Sequence, residues 1–165
     1  MTITTDITFT ELLARPEVAG FSEFLLSNCR VPDMNWSLKE MNTRFYDWVA
    51  ESIAYGLSRL FTLVQEGVKV DYDIYSESEK AASPDKAGTK LFYMPGKAGA
   101  PFVVVCPGGG YGAVCSLKEG FTTGARLNEL GYHAFILSYR VRSMASKDEN
   151  GIMPKPLEDM AAAMG

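Results

Sequence analysis

The sequence predicts an α/β fold: a mostly parallel sheet with crossover helices, preceded by a helical N-terminal extension. Three observations carry that expectation. Residues 102 to 106, Phe-Val-Val-Val-Cys, are apolar without alternation, as in a strand covered on both faces. They run into Gly108-Gly109-Gly110, and an amphipathic segment from Leu117 to Leu130 then leads to a second mostly apolar strand, His133 to Tyr139; strand, helix, strand makes a parallel unit. The first 58 residues carry helical spacings instead. The chain therefore divides into a helical extension, 1–58, and a sheet-bearing part, 59–165.

Within the extension, residues 7 to 29 read as helix in pieces, with Pro16 in a first turn and Val18, Phe21, Leu25 and Leu26 on one face. Pro32 breaks the pattern. Ser37-Leu-Lys-Glu40 has capping-box spacing, and Leu38, Met41, Phe45, Trp48, Val49 and Ile53 follow at helical spacing, so one long helix with a core-facing aromatic stripe is expected. From Val68 the chain alternates, placing Val68, Val70, Tyr72 and Ile74 on one face of a half-buried edge strand. Ser76 to Gly88 reads as a solvated loop. Thr89 to Met94, stopped by Pro95-Gly96, is a second strand forming an antiparallel hairpin with the first.

After the glycines, Ser116-Leu-Lys-Glu119 repeats the capping-box spacing at the start of the crossover helix, and Gly131 stands where a helix C-cap prefers glycine. Gly120 and Gly124, one turn apart, allow that helix to approach the sheet closely. Ser143 to Met153 is a polar loop. A last helix begins near Pro156, with Glu158 and Asp159 favourable to its dipole.

Composition narrows the partners. The 165 residues hold 16 Lys and Arg against 20 Asp and Glu, a net charge of −4, which provides no basic field for nucleic acid or an anionic membrane. The three cysteines, Cys29, Cys106 and Cys115, lack metal-type spacing and form no disulfide framework, so neither a metal nor a cofactor is expected. Residues 1 to 6 show no basic region leading to an apolar core, and no apolar run approaches membrane-spanning length; a cytoplasmic location is the expectation.

A strand running into three glycines delivers bare backbone to a site. Glycine N–H donors at such a turn stabilise negative charge on a phosphate or on the oxyanion of an acyl-transfer intermediate. The phosphate use lacks its motifs: G-x-x-x-x-G-K-[ST] is absent, and Gly108-Gly-Gly-Tyr-Gly112 is not the spaced dinucleotide fingerprint. The run CPGGGY, followed by LKEGFTTGARLNELGYHAFILSYRV and PKPLEDMAAA, resembles the front half of α/β-hydrolase esterases, in particular the bacterial esterase/lipase-like group related to acetyl-xylan and feruloyl esterases. The similarity covers roughly residues 60 to 165 and implies a partial α/β-hydrolase fold that acts on small-molecule carboxylic esters. In that family the glycine-rich turn after the third strand supplies part of the oxyanion hole. Carried over, Gly109 and Gly110 are the backbone donors, with Gly108, Tyr111 and Glu119 near the pocket and Pro107 where the family's motif has histidine.

No G-x-S-x-G occurs, so the nucleophile, acid and histidine of the family are not in these residues. The resemblance thus implies a fragment that is inactive alone. Its partner would be a missing C-terminal half, or a second copy joined through the exposed strand at 102 to 106. A non-catalytic binding protein with the same fold is the alternative. The remaining chemistry-bearing residues read as structural: His133 at the opposite end of the sheet from the glycines, Cys106 as a small core residue, Ser116 as a helix cap. Cys115 precedes a helix N-terminus, where a thiol can be reactive, but no histidine is placed beside it. Arg140 and Asp159 are candidates for an ion pair across the loop between them.

Overall fold

The computed structural model describes residues 2–142 and 152–165. Among them are seven α-helices and one four-stranded sheet of order β1-β2-β4-β3, a mixed α/β architecture. Two short helices lead: α1 (Phe9–Leu13), opened by a Thr8–Glu11 capping box, and α2 (Ser22–Leu26), which ends in two left-handed residues, Ser27 (φ 38°) and Asn28 (φ 68°). The long helix expected from Ser37 is two helices, α3 (Leu38–Arg44) and α4 (Ala50–Gln65). Phe45 turns extended, and the break lets Trp48 swing edge-on against Phe9, 5.5 Å between ring centres, while Phe45 and Val49 stay at the surface. Asn42 Oδ1 then accepts from the Ala50 N–H at 3.3 Å and restarts the helix.

The sheet is not mostly parallel. β1 (Asp71–Tyr72) and β2 (Lys90–Met94) pair antiparallel, β2 and β4 (His133–Ser138) pair antiparallel, and only β3 (Phe102–Val105) runs parallel to its neighbour β4. The reason is connectivity: parallel neighbours need a crossover, and α6 (Phe121–Glu129) makes one between β3 and β4, whereas the segment between β1 and β2 returns the chain antiparallel. β1 is also shorter than its alternation suggests. Val68 and Val70 pack into the cluster on the helical side, whereas Tyr72 and Ile74 pack on the opposite side. The four residues do not share one face. β3 is the sheet edge, with Phe102 62% exposed, rather than a strand covered on both faces.

Residues expected to be a solvated loop after Ser76 form α5 (Glu77–Ala82) and a 3-10 segment (Pro84–Gly88). Ser76 and Glu79 close a capping box there. Of the loop expected from Ser143 to Met153, residues 143–151 lie outside the described residues.

One core joins the N-terminal helices to the sheet, running from Ile3 through Phe61 and Phe92 to Ile136. α4 crosses residue 58 without interruption and packs on α6, where a Cβ on Gly56 would sit 2.7 Å from the Phe121 and Thr122 backbone. Gly120 and Gly124 press against Ile136 of β4, as their spacing predicts, and Gly131 (φ 102°) follows the end of α6.

The other face of the sheet is covered by α7 (Lys155–Met164), whose Met160 and Ala163 pack with Leu91, Leu137 and Tyr139. A buried ion pair fastens α7. Arg140 is 2% exposed and Asp159 fully buried; Asp159 accepts from the Arg140 backbone N–H at 2.8 Å and from its Nε at 2.9 Å. Asp159 also accepts from the Tyr75 hydroxyl at 2.7 Å, and Asp85, Glu158 and the Lys155 carbonyl accept from the guanidinium as well. Burial raises the Asp85 carboxyl, but donors from Lys155, Ser83 and Arg140 outweigh it and bring the pKa down to about 2.

Removing one partner of a buried pair strands the other charge, so Asp159→Ala is expected to cost about 3 kcal/mol in urea unfolding. Asp85 makes a second, pH-dependent contribution. Its depressed pKa stabilises the fold above about pH 4, the unfolded value, and that contribution disappears as pH falls toward 2. Thermal unfolding of Asp85→Asn followed through that window is expected to show a shallower acid limb than the parent.

Candidate functional site

The glycine loop leaves the carboxyl end of β3 and closes over the carboxyl end of β4, the place where open α/β sheets form their ligand crevices. There Cys106, Pro107, Gly108, Gly110, Tyr111, Leu137, Tyr139, Pro156, Leu157 and Met160 line a pocket of about 390 Å³. The loop wall comes from residues 106–111, the strand wall from β4 and Tyr139, and the remaining wall from the first turns of α7.

Four contacts hold the loop. The Tyr139 hydroxyl donates to Pro107 O; the Gly108 N–H donates to Glu119 Oε2 at 2.9 Å; the Cys115 N–H donates to Gly108 O at 2.9 Å; and the Arg142 N–H donates to Tyr111 O at 2.8 Å. Between these anchors the backbone is left-handed at Gly109 (φ 138°), Gly110 (φ 59°) and Tyr111 (φ 58°). At Gly109 a Cβ would lie 2.0 Å from Ala113 O, so only glycine fits. Among the described residues the N–H groups of Gly109, Gly110 and Tyr111 donate to no protein acceptor. Polar donors with no internal partner, next to a concave apolar surface, are what a bound anion or a polarised carbonyl oxygen requires.

The sequence-predicted residues fall into place unevenly. Gly108, Gly110 and Tyr111 line the pocket, Gly109 sits between the lining residues, and Glu119 is not among them. The Gly108 N–H is already engaged, which removes it as a donor to a ligand. The engaging group is Glu119, which makes no capping box with Ser116. A π-type turn (Ser116–Gly120) opens the crossover helix in its place, α6 begins at Phe121, and the buried Ser116 hydroxyl has no hydrogen-bond partner among the described residues. Glu119 positions the loop. Cys106 is an exposed pocket residue rather than a core one, because β3 is the sheet edge.

Sequence reasoning missed the contributions of Tyr139, Pro156, Leu157 and Met160. The helical spacing of 156, 157 and 160 was the available signal, but nothing local says that α7 returns to the glycine loop. Burial pushes the Tyr139 phenol up to about 12, so it stays a neutral donor to Pro107 O. Its ring packs edge-on with that of Tyr111, 6.2 Å between centres.

His133 stands at the amino end of β4, paired in register with Phe102. Its Nδ1 accepts from the Gly96 N–H at 3.2 Å and lies 2.8 Å from the Tyr93 hydroxyl. It serves no group in the pocket. Among the described residues no cluster of three or more His, Cys, Asp or Glu side chains is arranged to hold a metal ion, and no helix is long and apolar enough to cross a membrane. No family model, no curated protein and no solved structure matches the chain.

Glu119→Ala is expected to release the Gly108 N–H and loosen the loop. Losing one hydrogen bond of about 1 kcal/mol corresponds to roughly five- to tenfold faster amide exchange at Gly108. Glu119→Gln, which keeps the accepting oxygen, is expected to recover most of the protection; equal exchange in all three proteins would remove Glu119 from this role.

Proposed function

We propose that this chain carries the oxyanion-binding part of a serine carboxylesterase of the α/β-hydrolase type, acting on small-molecule carboxylic esters and inactive without a nucleophile from elsewhere. The observation that carries the reading is the set of acceptor-free N–H groups at Gly109, Gly110 and Tyr111 beside the apolar pocket. When a nucleophile attacks an ester carbonyl, the electron pair of the C=O bond moves onto oxygen. Two or three fixed N–H donors then stabilise that charge without reorganising, each worth about 3 kcal/mol in the transition state. Leu137, Tyr139, Leu157 and Met160 supply the apolar surface against which an acyl or alkyl group desolvates.

The sheet order supports the same reading. β3 lies beside β4 and, among the described residues, is open on its other side; in the fold that the resemblance implies, a further strand on that side would lead into the nucleophile turn.

The engagement of His133 at the far end of β4 favours a second reading, a binding module that holds carboxylate- or ester-bearing ligands and performs no chemistry. In both readings the chain alone binds and does not turn over.

Titrating the ¹⁵N-labelled chain with butylphosphonate, a tetrahedral oxyanion, is expected to shift the amides of Gly109, Gly110 and Tyr111 and to leave Gly99 and Gly131 unmoved. Unmoved loop amides would overturn the oxyanion site. The same preparation is expected to take no fluorophosphonate label and to leave p-nitrophenyl butyrate unhydrolysed; a labelled serine would contradict inactivity. Restored hydrolysis on adding a chain that bears G-x-S-x-G, an acid and a histidine would decide for the esterase over the binding module.

A further inference from the structure

Cys29 and Cys115 are 86 positions apart in sequence, yet their sulfurs lie 3.8 Å from each other. The approach is built by backbone. α2 ends in left-handed Ser27 and Asn28, and the Ser27 carbonyl accepts from the Val114 N–H at 3.0 Å, so the segment after α2 runs alongside the segment after the glycine loop. The Cys29 thiol also lies 3.6 Å from Val114 O. Cys115 is buried and Cys29 half-buried, so a small reagent reaches the pair from the Cys29 side. Cys106, the third cysteine, is exposed and lines the pocket with Met160 as its sulfur neighbour at 3.9 Å.

We propose that Cys29 and Cys115 are a modification site, a dithiol that a hydroperoxide converts reversibly to a disulfide tying the N-terminal helices to the glycine loop. The Cys29 thiolate attacks the terminal peroxide oxygen, the O–O bond breaks, and Cys29 becomes a sulfenic acid as hydroxide or alkoxide leaves and takes up the proton the thiol had released. The Cys115 sulfur then attacks the Cys29 sulfur and loses its proton, and the sulfenic oxygen departs as water. The balance is two thiols and one hydroperoxide giving one disulfide, one water and one water or alcohol.

Burial, with Cys115 beside it, pushes the Cys29 thiol up to about 12; the Lys118 ammonium opposes this and Glu119 adds to it. At neutral pH Cys29 therefore rests as a thiol, and oxidation is slow, set by its small thiolate fraction. A disulfide requires the sulfurs to close to about 2 Å. That movement is transmitted directly, because the Cys115 N–H holds Gly108 O and the Cys115 carbonyl accepts from the Glu119 N–H, at 2.9 Å each. Both ends of the Glu119–Gly108 anchor thus meet at Cys115.

The test is peptide mapping of the full chain after hydrogen peroxide, quenching and iodoacetamide, without reduction. The expected result is a peptide pair joined through Cys29 and Cys115, lighter than the two thiol peptides by two hydrogens, restored by dithiothreitol, with Cys106 outside the linkage. Closing so long a loop is expected to raise Tm by roughly 5–10 °C. In Cys115→Ser, dimedone is expected to trap a sulfenic acid on Cys29, and in Cys29→Ser the buried Cys115 is expected to stay reduced. Recovery of Cys29 and Cys115 both alkylated, or both as separate sulfinic acids, would overturn the proposal from the parent protein alone, whatever the folding of the variants. The map is independent of any ligand at Gly109 and Gly110, so its outcome and that of the phosphonate titration fail separately.

Discussion

The candidate site depends on one buried charge. Arg140 follows the end of β4, and its guanidinium is almost entirely removed from water, so it persists only while carboxylates surround it. Asp159, in the second turn of α7, provides the most buried of these. α7 has little else to direct it: ten residues, an alanine-rich second half, and apolar contacts to a single sheet face. The ion pair sets where the helix starts, and its first turns supply a wall of the pocket. Tyr75 and Asp85 bring the segment around α5 into the same network, so residues distant in sequence are drawn to the carboxyl end of β4. Hydrophobic burial accounts for the layering, and the paired charges account for its register.

Against that fixed wall, the glycine loop is held at its ends and bare in its middle. Pro107, Gly108 and Tyr111 are each tied by a hydrogen bond, and the tying groups come from two other parts of the chain: Glu119 from the turn before α6, Tyr139 and Arg142 from the segment after β4. A loop anchored in this way offers its intervening N–H groups without having to reorganise when charge arrives, which is the property that makes backbone donors effective in acyl transfer. Three consecutive residues there, Gly109, Gly110 and Tyr111, have positive φ. The non-glycine among them, Tyr111, is a strained residue of the kind that clusters at ligand sites.

Much of this was legible in the residues themselves. The strand at 102–105, a crossover helix after it, the C-terminal glycine at 131, and the small residues at 120 and 124 each have a local physical meaning, and each of these features is present, although the strand is an edge and the helix starts four residues late. What could not be read depends on partners distant in the chain. An uninterrupted apolar strand signals burial on both faces only if neighbours exist on both sides, and β3 has one. Helical spacing from Leu38 to Ile53 is compatible with a continuous helix until Phe9 offers Trp48 a better place. Serine and glutamate three apart formed capping boxes at 37 and 76 but not at 116, because there the glutamate had a stronger claim on it, the Gly108 N–H. The glycines of the site were visible; the groups that hold them were not.

β4 lies inside the sheet although, among the described residues, it is the last strand in sequence. β2 and β3 precede it, are not hydrogen-bonded to each other, and both take their pairing from its two edges. During synthesis, therefore, the glycine loop and its strand emerge before anything exists to seat them. The sheet closes in a single step, when residues 133 to 138 insert between segments made some tens of residues earlier. Such a late, non-local closure is slow and leaves the apolar run at 102–105 open to other chains in the interval. For this protein the hazard of misassembly lies in the time between making the third strand and making the fourth.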